Sequence, residues 1–94
     1  MVLSQIYSLY NYFFTTDERF YYLSLIYSED KWHIHGLWPQ YSENSYPQFC
    51  KNIPFNIKNI DSIKDKLHKN WYSTCTKDEH FWKHEWEKHG TCMF

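Results

Sequence analysis

The interior of this chain has to be built from rings and branched aliphatics. It carries five Trp, nine Tyr and seven Phe in 94 residues, contains no alanine, and has only two Gly and three Pro. Tyr, Phe, Trp, Ile and Leu are therefore the available core material. At this length the chain makes at most one small domain, near the low end of what buries a self-sufficient core. Apolar residues at 43% and aromatics at 22% exclude a disordered or low-complexity chain.

Charge excludes an obligatory polyanion partner at neutral pH, where the net charge is −1. Acid changes that. Ten Lys+Arg and six protonated His against eleven ionised Asp+Glu leave a balance of about +5, so affinity for a polyanion can rise as pH falls. No run approaches a membrane span. The N-terminal MVLSQIYSLYNYFFTTDER is a poor signal peptide, because no basic residue precedes Arg19 and Ser4, Gln5, Ser8 and Asn11 interrupt its apolar stretch. Cys50, Cys75 and Cys92 allow one disulfide and leave one thiol over.

No repeat or linker divides the chain. FYYLSLIY (20–27) reads as a strand, and KWHIH (31–35) as a second, ended by Gly36 and Pro39. Residues 36–56 hold all three prolines and read as a long irregular loop. Ile57, Ile60, Ile63, Leu67 and Trp71 recur at helical spacing, which predicts an amphipathic helix over 61–71 with Asp61 as its N-cap. A second helix is expected over 79–89, capped by Asp78 and ended by Gly90.

That second helix carries the chemistry. In FWKHEWEKHG (81–90), Phe81, His84, Glu85, Lys88 and His89 fall within about 140° of arc. Trp82 and Trp86 lie beside that stripe and can enter the core, while Lys83 and Glu87 point to water. One flank thus gathers a carboxylate, an ammonium and two imidazoles. The bland alternative is a solvated face laced with i, i+4 pairs. A zincin-like reading fails on spacing, since His84 and His89 are five residues apart rather than four. On the second strand, alternation is expected to bury Ile34 and turn His33 and His35 to the opposite face, where they could also hold a metal, although no third ligand has a recognisable spacing. Gly36 leaves room for a bulky ligand beside the backbone, and Trp38 offers a stacking plate. A strand histidine facing a Glu–Lys–His cluster supplies one acid, one base and charge stabilisation, which is what phosphodiester transfer needs.

At these two motifs the sequence resembles the ribonuclease T2 family of acid endoribonucleases. HIHGLWP (33–39) looks like the family's first active-site signature and FWKHEWEKHGTC (81–92) like its second. YPQFC (46–50) and the Phe55-to-Trp71 segment resemble what lies between. The resemblance covers residues 17–94 and leaves 1–16 unassigned. It implies an α+β fold, an antiparallel sheet with packed helices, of which this chain would be the N-terminal half. It also implies cleavage of single-stranded RNA through a 2′,3′-cyclic phosphate without a metal or other cofactor. His89 would be the base and His35 the acid, with Glu85 and Lys88 stabilising the pentacovalent intermediate and His84 holding the phosphate. A nearby cation is expected to favour an ionised Glu85. Trp38 and Tyr46 match positions that stack on the base 5′ to the cut, Gln40 a base-reading position, and Phe81 a residue lining the second base site. The family pattern pairs Cys50 with Cys92, and implies an extracellular or lysosomal/vacuolar-type compartment.

Two features depart from the pattern. Ile26, Tyr27 and Ser28 stand where the family's first strand commonly ends in Gln-Trp-Pro, and the cysteines often found after that strand are missing. The competing readings are a truncated, non-catalytic RNA-binding paralogue or partial gene product and, more distantly, a metal-binding module. Two strands in view make only a hairpin-like pair, so the isolated chain is expected to associate and to turn over poorly.

Overall fold

The computed structural model describes the backbone of residues 5–11 together with residues 19–93. The remainder of the N-terminal stretch weighed as a signal peptide, residues 1–4 and 12–18, lies outside the described residues. The fold is α+β. A three-stranded antiparallel sheet in the order β1-β2-β3 is built from β1 (Gln5–Asn11), β2 (Phe20–Ser28) and β3 (Lys31–Gln40). α1 (Lys64–Asn70) and α2 (Asp78–Lys88) follow it. Among the described residues no helix is long and apolar enough to cross a membrane.

The sheet holds more than the expected pair of strands. β1 lies in the segment that the sequence leaves unassigned, and pairs with β2 from Gln5↔Tyr27 to Asn11↔Tyr21. β2 and β3 are joined by Glu29 and Asp30, whose φ angles of 52° and 64° are those of a two-residue turn matching the right-handed twist of a hairpin. β3 does not stop at Gly36. It continues through Pro39 to Gln40, so the irregular connection begins at residue 41. A proline is tolerated here because β3 is an edge strand of this sheet.

Pairing slips between Ser24 and Leu25: Leu25 faces Ile34 while Ser24 faces Gly36. His35 is thus the extra residue of a bulge, a device that bends a strand and re-aims its side chains. The bulge sits within an alternation opposite to the expected one. His33 is buried, its ring stacked 4.3 Å from that of Tyr72, and Ile34 is exposed.

The helices also begin differently. Asn56, not Asp61, caps the run, its side chain accepting from the Lys58 amide at the start of a 3₁₀ segment, Ile57–Ile63. Ile57, Ile60 and Ile63 are spaced by three, the period of a 3₁₀ turn; only from Lys64 does the chain relax into α1. α2 starts one residue early, with Lys77 at the N-cap position. Asp78 instead accepts from the Ser73 amide at 2.9 Å and meets His68 Nδ1 at 2.6 Å, tying α2 to the end of α1. Gly90 adopts no left-handed cap. It opens a short 3₁₀ turn, Gly90–Cys92, and a Cβ there would collide with the Trp86 ring.

Phe20, Pro39, Trp82 and Cys92 are buried. Trp82 donates its indole N–H to the Trp71 carbonyl at 2.6 Å and Trp86 to that of Ile53 at 2.8 Å, so each ring is buried or half-buried with its polar edge satisfied. A disulfide joins Cys50 to Cys92, with Cα atoms 5.1 Å apart. The Phe49 amide donates to the Lys88 carbonyl at 2.9 Å and the Cys50 amide to Thr91 Oγ1 at 3.2 Å. Together they fasten the 41–56 connection to the C-terminal end of α2.

Candidate active site

Two elements supply the reactive side chains. β3 brings His35, Trp38 and Gln40, and α2 with its C-cap residue brings His84, Glu85, Lys88 and His89. All seven line one cleft of about 530 Å³, together with Tyr46 from the connection pinned against α2. Phe81 is set one turn back, its ring stacked 5.9 Å from that of His35 and edge-on to Trp71 at 5.6 Å.

Glu85 is the hub. Its Oε2 accepts from Trp38 Nε1 at 2.8 Å, its Oε1 lies 3.4 Å from His35 Nε2, and His89 Nε2 is 4.0 Å from Oε2. Both imidazoles therefore turn the same nitrogen to one carboxyl, while their Nδ1 atoms are buried without a partner among the described residues. Trp38 fixes the arrangement from one side. Its indole stacks on His89 at 4.6 Å and meets His35 edge-on at 4.8 Å. On the other side, Trp71 Nε1 donates to the His35 carbonyl at 2.7 Å, holding the bulge in place.

Gly36 makes the packing possible in a way that differs from the expected ligand space. A Cβ there would strike Trp38 Nε1 and lie 2.8 Å from Glu85 Oε2. The room beside the backbone is filled by the Trp38–Glu85 hydrogen bond itself.

Burial governs the protonation states. Desolvation raises the Glu85 carboxyl to about 7, against the smaller opposing effects of the Trp38 hydrogen bond and Lys88. The nearby cation does favour the ionised carboxylate, as expected, but loss of water acts the other way and is the larger effect. Burial likewise lowers His89 to about 4, helped by Lys88, His84 and His35. His35 is lowered too, first by burial and then by His33, His84 and Lys88. All three central groups are pushed toward their neutral forms, each first by burial.

The specificity candidates are placed unevenly. Tyr46 is exposed, with its ring 6.4 Å from that of His89. Gln40 is buried, and its amide donates to the Ser42 carbonyl at 3.0 Å. Sequence reasoning passed over Tyr22, Glu43 and Asn44, which line the same cleft. Tyr22 was within reach, because it is the cross-strand partner of Trp38. Glu43 and Asn44 carry no periodic signal. Among the described residues no three His, Cys, Asp or Glu converge as metal ligands.

The family model described as Ribonuclease T2 family matches residues 5–94. Ribonuclease DdI of Dictyostelium discoideum is 48% identical over 59 residues, which cover 63% of this chain and 26% of that protein. Ribonuclease T2 protein rnst-2 of Caenorhabditis elegans is 47% identical over 66 residues, 66% of this chain and 24% of its own length. Extracellular ribonuclease LE of Solanum lycopersicum is 40% identical over 63 residues, with shares of 63% and 27%. The chain thus spans about a quarter of the length of the curated relatives it matches. No solved structure matches it.

Proposed function

The chain belongs to the Ribonuclease T2 family, and on that premise we propose that it carries the acid–base machinery of an endoribonuclease acting on single-stranded RNA. The observation that carries this reading is the pair of imidazole Nε2 atoms, from two different elements, turned onto one buried carboxyl.

Neutral His89 takes the proton of a ribose 2′-OH. The 2′-oxygen bonds to phosphorus, the P–O5′ bond breaks, and His35 donates its proton to the departing 5′-oxygen. The products are a 2′,3′-cyclic phosphate and a 5′-OH end. In a second step the histidines exchange roles, and water opens the ring to a 3′-phosphate. Lys88 and His84 offset charge gathering on the non-bridging oxygens. Glu85, raised to about 7 by burial, is largely protonated in acid and can donate a hydrogen bond to one of those oxygens. A bound phosphate opposes the effect of Lys88 and His84 on His35, restoring the proton the acid must carry. No step calls for a metal or other cofactor.

Trp38 and Tyr46 flank the space where the base 5′ to the cut would rest, Gln40 closes its end, and Phe81 borders the following base. The disulfide fits an oxidising, extracellular or lysosomal/vacuolar-type compartment, as does similarity to a relative named extracellular.

A chimeric oligonucleotide with a single ribose in a deoxyribose strand tests the reading on the full-length protein. Cleavage is expected 3′ to the ribose and nowhere else, because only there does the nucleophile exist. Cleavage of the all-deoxy strand, or binding of RNA with no cleavage at any pH, would overturn it.

A further inference from the structure

A second cationic cleft, of about 280 Å³, opens where β3 begins; Lys31 and His33 meet Lys69, Asn70 and Tyr72 there. Among the described residues that line it, none is acidic. Both ring nitrogens of His33, a residue only 5% exposed, and the Tyr72 hydroxyl are buried with no hydrogen-bond partner among the described residues. Lys31 holds its ammonium 5.1 Å from the centre of the Tyr72 ring, where a cation rests without being neutralised. The carboxylate acting on His33 is Glu29 in the hairpin turn, and its effect is smaller than that of Lys31. A buried imidazole and a buried phenol each without a partner, two ammonium groups and no carboxylate among the described lining residues describe a site for an anion.

Resting on the proposed function, we infer that this cleft is a subsite for the phosphate one nucleotide 3′ of the cut, and that Lys31, Lys69, His33 and Tyr72 hold it. Direction follows from β3. Trp38 and Gln40, which flank the 5′ base, lie toward one end of the strand, with His35 at the scissile phosphate and His33 and Lys31 beyond it. A substrate laid along the strand thus runs from its 5′ base at Gln40 toward Lys31. Only Ile34 separates His33 from His35, a rise of at most about 6–7 Å given the bulge, within reach of the next phosphate along an extended chain. His33 contributes to lowering the proton affinity of His35, so an anion bound at His33 also helps the catalytic acid keep its proton.

The test compares a dinucleoside monophosphate with the same dinucleotide bearing a 3′-phosphate, on the full-length protein and its Lys31→Gln/Lys69→Gln variant. The wild type is expected to favour the 3′-phosphorylated substrate by roughly tenfold in kcat/KM, the size of one good charge-assisted contact. The variant should lose that preference while cleaving the shorter substrate as before. Equal rates on both substrates in the wild type, or a preference that survives in the variant, overturns the subsite and leaves the proposed function standing. If neither substrate is cleaved, the proposed function fails and NMR titration with inorganic phosphate decides the subsite alone. A His33 imidazole titration raised by phosphate in the wild type but not in the variant supports it; no change in the wild type refutes it.

Discussion

Lys88 acts on both imidazoles proposed as acid and base in the same direction, and that makes it the most informative single side chain. It contributes to lowering His35 and His89 alike. In the proposed mechanism His89, as base, works once it is deprotonated, above about 4. As acid, His35 works only while protonated, below a value lowered from its ordinary 6.5. Activity should therefore rise through the first value and fall through the second, giving an acidic optimum. Lys88→Gln removes a cation, so both limbs of the kcat/KM profile are expected to move to higher pH, with a lower maximum; unmoved limbs would contradict the electrostatics. Glu85 permits a separate test on stability. Its folded value of about 7 lies above the ordinary 4.5, so between them the folded state binds more protons than the unfolded one, and wild-type stability is lost as pH rises. A glutamine does not titrate. The advantage of Glu85→Gln over wild type should grow from pH 4.5 to 7, by up to about 3 kcal/mol in denaturant melts. A difference that is flat or shrinks across that window would show that burial does not dominate this carboxyl.

Elements were legible wherever one period ran unbroken, and illegible where a tertiary contact overrode it. The stripe of α2 was readable because His84, Glu85, Lys88 and His89 repeat at helical spacing, and they do share a cleft. The run of β3 past Gly36 was not. Gly and Pro look like breakers, and nothing local reveals that Tyr21 and Trp71 would hold that segment as an edge strand. The burial of His33 was hidden for a related reason, since alternation gives two faces but not which one the Tyr72 segment covers. Threefold spacing of Ile57, Ile60 and Ile63 was visible and reads, in hindsight, as the 3₁₀ segment it is. The pairing of Cys50 with Cys92 came from resemblance alone, and the structure joins the same two residues. Closing a loop with a sequence separation of 42 stabilises by about 4 kcal/mol on the chain-entropy estimate. Non-reducing peptide mapping should recover this crosslink with Cys75 free, and Cys50→Ser should lower the unfolding free energy by about that amount. A crosslink involving Cys75, or an unaltered melt, would contradict the pairing.

At the scale of the molecule, the site is better finished than its surroundings. The candidate cluster around Glu85 is held from several sides, yet Trp32, Ile34 and Leu37 remain 51%, 38% and 46% exposed along β3. An apolar groove of about 500 Å³ between β3, the 53–60 segment and α2 is lined by Ile34, Leu37, Ile60, Leu67 and Trp86. Residues 1–94 expressed alone are therefore expected to self-associate with rising concentration in sedimentation runs, and to cleave RNA weakly. β1 adds a strand that the sequence did not disclose, but it lies on the far side of β2 and leaves β3 as an edge. A cooperative, monomeric melt accompanied by robust turnover would show that these residues are self-sufficient. The central claim is that His35 and His89 carry out transesterification at an RNA phosphate, and ³¹P NMR of the reaction tests it most directly. With the full-length protein, RNA and a chelator at acidic pH, a 2′,3′-cyclic phosphate resonance should appear first and then give way to a 3′-phosphate. His35→Ala and His89→Ala should each slow its appearance by about 10²–10⁴-fold. A 5′-phosphate product without the cyclic intermediate, or unchanged rates in both variants, would contradict the claim.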